Sequence, residues 1–237
     1  MQGGYFKAFT PELGKKLAYE ALAKQLGIER LVPHTKLCFA VIDGLLIKGS
    51  IQEKSKGKDV WEVPKKIRKK SITPEFQRDI NILRLFDVIC HERDHSLNNY
   101  FAVSDSHNRY VTVSAFDNGG IGSFNLHTDI SFSTYYGCTP LIDKKGIFTS
   151  PYVDKEFTDQ ILELPIRKIF KNLYPYIGIP VIITTIIRLQ KVRYCIKHCK
   201  FKLVESSSWN ERTIEDELSG KYGNTYLYSF ANQWGES

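Results

Sequence analysis

The chain has 237 residues, of which 42% are hydrophobic and 25% charged, and it carries a formal net charge of +7. That balance belongs to a globular protein long enough to bury a core, and it excludes an intrinsically disordered chain. The five cysteines (Cys38, Cys90, Cys138, Cys195 and Cys199) are odd in number and scattered, which excludes a disulfide framework and points to a reducing compartment.

Residues 5–9 form a short β-prone run with Lys7 inside it. Residues 11–26 read as a helix containing Glu20, with Leu13, Leu17, Ala21 and Leu22 on its expected buried face. Two strands, 36–42 and 45–52, are predicted around Asp43-Gly44, a strong hairpin signal. The second runs into Ile51-Gln52-Glu53. Between Lys48 and Lys70 there are nine basic residues against three acids, a local charge of +6. Five of the nine, Lys65, Lys66, Arg68, Lys69 and Lys70, are close enough in sequence to share one face. A solvated basic loop is the plain reading of that stretch. The competing reading is a polyanion site for an inositol polyphosphate, an anionic lipid headgroup or an acidic protein. No recognition motif for nucleic acid accompanies the patch, so nucleic acid is not expected.

Thr73-Pro74-Glu75 is a helix-start signal, with a hydroxyl cap, a proline in the first turn and an early acid. Phe76, Ile80, Leu83, Phe86 or Val88, and Cys90 follow at near-helical spacing, and the helix should stop near His91. Asp94 and Asn99 then lie five residues apart. Two β-prone runs, 100–103 and 110–113, flank the polar turn 105–108 and read as a hairpin that leads to Asp117-Asn118-Gly119. The longest apolar stretch, 177–189, contains Pro180, Thr184, Thr185 and Arg188. It is too short and too polar to span a bilayer and reads as a buried helix or strand. The start lacks a basic and apolar leader, so no secretory signal peptide is expected. Cys195 and Cys199 lack the further ligands of a zinc site and read as buried thiols on one helix face. Residues 200–237 carry Trp209 and Trp234 but no interpretable motif.

The order helix, loop, hairpin, acidic turn suits phosphoryl transfer. An aspartate at 94 can orient an acceptor hydroxyl and take its proton. The Asn99 carbonyl and the Asp117 carboxylate can hold magnesium on a triphosphate. A lysine on the α- and β-phosphates needs a helical glutamate to fix it, and Lys7 with Glu20 fits that need. Each piece alone has a bland alternative, a polar turn or a surface charge; their order joins them.

Leu17-Ala18-Tyr19-Glu20-Ala21-Leu22-Ala23, then Leu26-Gly27, then Leu31-Val32-Pro33-His34-Thr35 resembles the atypical kinases of the phosphatidylinositol 3-/4-kinase-like and HipA-like groups. Residues 149–157 look like that family's C-lobe, and the resemblance covers residues 5–165. It implies an α+β, two-lobed protein-kinase-like fold in a single domain spanning 1–237, with a trimmed N-lobe and hinge over 1–53 and a mostly helical C-lobe over 54–237. Asp94 would be the catalytic aspartate and Asn99 and Asp117 the magnesium ligands. Lys7, Glu20 and the hinge residues Ile51, Gln52 and Glu53 would bind ATP. The chain departs from the family in having little before Lys7, in the order Arg93-Asp94-His95, and in Asn118 where kinases often carry an aromatic residue. The Arg-Asp order leans towards a protein Ser/Thr kinase of the kind found among secreted bacterial effectors, acting on a protein substrate, with an inositol polyphosphate as the candidate activator. A phosphoinositide kinase, or a pseudokinase that binds polyanions or a partner, is the alternative. The expected location is the cytoplasm, or a host cell's cytoplasm for a secreted effector, at the membrane periphery if the basic stretch meets lipid.

Overall fold

The computed structural model describes residues 4–8, 12–53, 57–59, 69–93, 99–115, 124–132, 140–198 and 202–232. Strand β1 (Gly4–Ala8) is followed by helix α1 (Glu12–Gln25), a 3-10 turn (Glu29–Leu31), and strands β2 (Thr35–Ile42) and β3 (Leu45–Glu53). The β2–β3 turn uses two left-handed residues, Asp43 at φ 51° and Gly44 at φ 78°, the backbone that Asp-Gly favours in a two-residue hairpin. β3 is the middle strand, antiparallel to β1 on one side and to β2 on the other.

A short strand β4 (Lys58–Asp59) and a 3-10 turn (Lys69–Ser71) precede helix α2 (Pro74–Cys90). Thr73 caps α2 by accepting the Phe76 N–H, Pro74 opens the helix, and His91 ends it in a left-handed conformation. A hydroxyl cap of this kind is worth about 1 kcal/mol. From Phe76 to Cys90 every residue of α2 except Arg78 is buried. Strands β5 (Tyr100–Ser104) and β6 (Tyr110–Ala115) form the expected hairpin, with Asp105 accepting the N–H groups of His107 and Arg109 in its turn. β4 pairs with β5, making a second three-stranded sheet.

Strand β7 (Tyr152–Asp154) leads directly into α3 (Lys155–Glu163), then α4 (Ile166–Leu173) and α5 (Ile179–His198). Strand β8 (Lys202–Val204) returns parallel to β7, and α6 (Glu211–Glu217) and α7 (Tyr226–Ala231) complete the described chain. Asp154 ties this part together. Its carboxylate caps α3 through the Phe157 N–H at 2.9 Å and accepts the Ser206 hydroxyl at 2.9 Å and the Trp209 indole at 3.3 Å. The fold is thus mixed α+β, with small sheets around a helical core. That core is continuous from α1 through α2 to α5 and α7.

Two expectations are corrected. On α1, Leu17 and Ala21 are only half-buried, whereas Ala18, Tyr19 and Ala23 are fully buried beside Leu22. The core-facing stripe is rotated because Tyr19 reaches across to α2. The stretch 177–189 is not buried throughout. It opens the 20-residue helix α5, which leaves Ile179, Ile183 and Ile187 in solvent.

Candidate functional site

The candidate site lies where α2 ends and the β5–β6 hairpin opens. The C-terminal turn of α2 is tightly held. His91 and Glu92 donate their N–H groups back to the helix, and Phe124 donates to the Cys90 carbonyl at 2.8 Å. Asp87 accepts the Tyr19 hydroxyl at 2.7 Å and the Tyr100 hydroxyl at 3.1 Å, joining α1, α2 and β5 in the interior. Burial, reinforced by the Asp87 carboxylate, pushes both phenols far above their ordinary range, so both remain donors.

A second tie comes from α5. Arg188 is fully buried and donates from Nε to the Ile89 carbonyl at 2.9 Å, and from its terminal nitrogens to the carbonyls of Asn125 and His127 and to the Thr185 hydroxyl. Burial lowers its guanidinium to about 10, which leaves it charged at neutral pH. Asn125 also bonds the His91 ring at 2.6 Å, and His91 stacks near His127 with ring centres 5.5 Å apart. The last turn of α2 and the start of segment 124–132 are therefore joined by hydrogen bonds, with Arg188 of α5 bonded to both.

Between the N-terminal sheet and the β5–β6 hairpin lies a cavity of about 530 Å³. Glu20, His34 and Glu53 line it from the sheet side, and Val103, Thr112 and Ser114 from the hairpin. At its edge Arg30 forks onto Asp79 with two 2.5 Å contacts, and the Thr112 hydroxyl donates to the same carboxylate at 2.5 Å. The hydrogen bond to Asp79 is the main cause that holds the Arg30 guanidinium above its ordinary value.

The expected site residues fall as follows. Asn99 is half-buried and stands immediately before β5. Asp94 and Asp117 lie outside the described residues, as do Lys65, Lys66 and Arg68. Lys7 stands opposite Ser50 on β1, and its side chain is likewise outside the described part. Glu20 lines the cavity, but both its oxygens are engaged at the entry to β2. One meets the His34 ring, and the other accepts the Thr35 N–H at 2.8 Å. Ile51 and Gln52 sit in the middle of a three-stranded sheet, with Phe6 and Tyr5 on one side and Lys36 and Thr35 on the other. Glu53 donates its N–H to His34 at 2.8 Å. The expected reading of an adenine edge by this backbone is therefore corrected, because the ladders already use those groups. Lys69 and Lys70 are exposed and share a cavity of about 260 Å³ with Arg109, Glu211 and Glu215. The chain thus supplies two carboxylates of its own to the basic cluster.

Sequence reasoning passed over Arg30, Asp79, Asp87 and Arg188. Asp79, Arg84 and Asp87 inside the apolar run of α2 were a usable signal, since charged residues are rarely fully buried without partners. Among the described residues no group of three or more His, Cys, Asp or Glu side chains could hold a metal ion.

No protein-family model matches the chain, and no curated protein matches it.

Proposed function

We propose that the protein is an ATP- and magnesium-dependent phosphotransferase with a two-lobed, protein-kinase-like arrangement, acting on a protein hydroxyl. The observation that carries this reading is the hairpin register. Tyr100 pairs with Ala115, so the residue before β5, Asn99, and the chain running on to Asp117 leave the hairpin at the same end. Two residues beyond Ala115 span at most about 7 Å, so the register is compatible with Asn99 and Asp117 sharing a ligand. That is the pairing a metal site from these two residues needs. Further support comes from the strand carrying Lys7, which directly precedes the helix carrying Glu20, and from the hydrogen bonds that hold the α2 terminus.

In this reading, magnesium held by Asn99 and Asp117 would neutralise charge on the triphosphate. Lys7 would contact the α- and β-phosphates. Asp94 would orient the acceptor hydroxyl and take its proton as the acceptor oxygen bonds to the γ-phosphorus and ADP leaves. Asp87 and Arg188 would act as positioning residues, fixing the end of α2 from which the chain continues to Asp94.

The test is transfer of labelled γ-phosphate from ATP with magnesium, with protein and lipid products assayed separately. Asp117→Ala should abolish transfer with the fold intact. Asp94→Ala should keep nucleotide binding and lose about 10²–10⁴-fold in rate. Wild-type turnover in the Asp117→Ala protein would sink the reading.

A further inference from the structure

Helices α4 and α5 turn apolar side chains outward. On α4, Ile166, Phe170 and Tyr174 recur every fourth residue and are 37–59% exposed, with the rings of Phe170 and Tyr174 stacked at 5.8 Å. On α5, Ile179, Ile183 and Ile187 repeat the same spacing, and Tyr194 lies seven residues further on. These four are 38–66% exposed. Helical geometry sets them in one stripe, opposite Ile182, Thr185, Leu189 and Val192, which enter the core. The two helices pack against each other. Arg193, late in α5, donates to the carbonyls of Ile161 and Leu164 ahead of α4, so the pair runs antiparallel. Single exposed hydrophobic residues are ordinary, but apolar residues repeated along the outward sides of two packed helices point to an interaction surface.

Charge selects the partner. From Leu164 to Val204 the sequence contains no Asp or Glu and nine Lys or Arg residues, more positive charge than the net +7 of the whole chain. Arg167, Lys168 and Lys171 on α4, and Lys191 and Lys197 on α5, are exposed. A second copy of the chain would set two acid-free basic faces against each other. A neutral apolar partner would leave the cations desolvated. An anionic lipid surface answers both features. Acyl chains receive isoleucine and phenylalanine, tyrosines rest at headgroup level, and phosphates meet lysine and arginine, whose long stems reach outward. Among the described residues no helix is long and apolar enough to cross a membrane, so the pair would lie in the interface rather than span it.

We propose that the α4–α5 face seats this protein on an anionic membrane surface. This does not rest on the phosphotransferase reading. The test is co-sedimentation of the full chain with phosphatidylcholine vesicles, with and without phosphatidylserine, at low and high salt. Binding should require phosphatidylserine and fall as salt rises. One variant removes the apolar arm, Phe170→Ser with Ile183→Ser, and a second reverses charge, Lys168→Glu with Lys171→Glu. Each should weaken partitioning by about tenfold or more. The second keeps the test decisive should the first fail to fold. Equal binding to both vesicle types, or wild-type partitioning by both variants, would overturn the proposal. So would a concentration-dependent dimer dispersed by the apolar variant, which would assign the face to a second copy. Retention on polyglutamate that matches or exceeds vesicle binding would assign it to an acidic protein and overturn the lipid reading.

Discussion

Helix α2 and helix α5 depart from the rule of apolar inside and polar outside in opposite directions. α2 takes Asp79, Arg84, Asp87, Gln77 and Asn81 into the interior. α5 sends Ile179, Ile183 and Ile187 into solvent. The difference lies in what surrounds each helix. α2 is packed by β6, β7, α5, α6 and α7, and those elements bring hydrogen-bond partners for its polar groups. Gln77 and Asn81 both donate to Glu217 of α6, at 2.7 and 3.1 Å, while Thr213 donates to Gln77 and Ser150 to Asn81. A buried polar group is tolerable once partnered, and costly once the partner is gone. Among the described residues α5 has neighbours on its inner side and flanks only, so its fourth-residue isoleucines meet water. Residue type sets a preference, and the packing partners decide burial.

The sharpest test of that contrast is Arg188, which hydrogen-bonds α5 to the Ile89 carbonyl of α2. Arg188→Ala should take the Arg188 donor from the carbonyls of Ile89 and His127, leave Asn125 with the Thr184 hydroxyl, and open a large void. A loss of about 3 kcal/mol or more is expected, lowering Tm by about 6–12 °C in a chain of this size. Calorimetry checks it; a Tm within a degree of wild type would mean that the α2 terminus is held by something else.

Next in size is Asp87→Ala, which removes the carboxylate that accepts the hydroxyls of Tyr19 and Tyr100. It should cost about 2–3 kcal/mol in urea unfolding. Asp87→Asn keeps a carbonyl acceptor and should recover part of that. Equal losses in the two variants would show that acceptance by Asp87 is not what matters.

Glu217 sharpens the comparison through pH. Burial raises its carboxyl pKa above the ordinary value, against the opposing hydrogen bonds from Gln77, Thr225 and Asn81. The folded protein therefore binds this proton more tightly than the unfolded chain. Its contribution to stability is fullest below the unfolded pKa and is lost as pH rises through the folded value. Glu217→Gln should flatten that decline and be no less stable than wild type near neutral pH, to within about 1 kcal/mol. A variant whose stability falls as steeply with rising pH as wild type would refute the assignment.

The smallest effect belongs to the outer face of α5. Ile183→Ser should change unfolding stability by no more than about 0.5 kcal/mol, because half of that side chain already meets water. A drop comparable to the Asp87 variant would place Ile183 in the core and erase the contrast.

Much of the local structure was legible in the chain. The Asp43-Gly44 turn, the Thr73-Pro74 helix start and the hairpin around 105–108 appear where their residues predict, because each signal acts over a few bonds. The α1 stripe was misread by a fraction of a turn, since which side faces inward depends on what Tyr19 touches 68 residues away. The hinge expectation failed for a related reason. Nothing in Ile51-Gln52-Glu53 announces that β3 is the middle strand rather than an edge.

By itself, then, the sequence determined the turns, the caps, the order of elements and the acid-free stretch from 164 to 204, all of which are properties of neighbouring residues. Tertiary structure alone decided which charges are partnered. It brought Glu217 to Gln77 across 140 positions, Arg188 to Ile89 across 99 and Arg30 to Asp79 across 49. It also decided which isoleucines stay uncovered. Hydrogen bonding and burial act between groups that the fold brings together, and separation along the chain carries almost no information about separation in space.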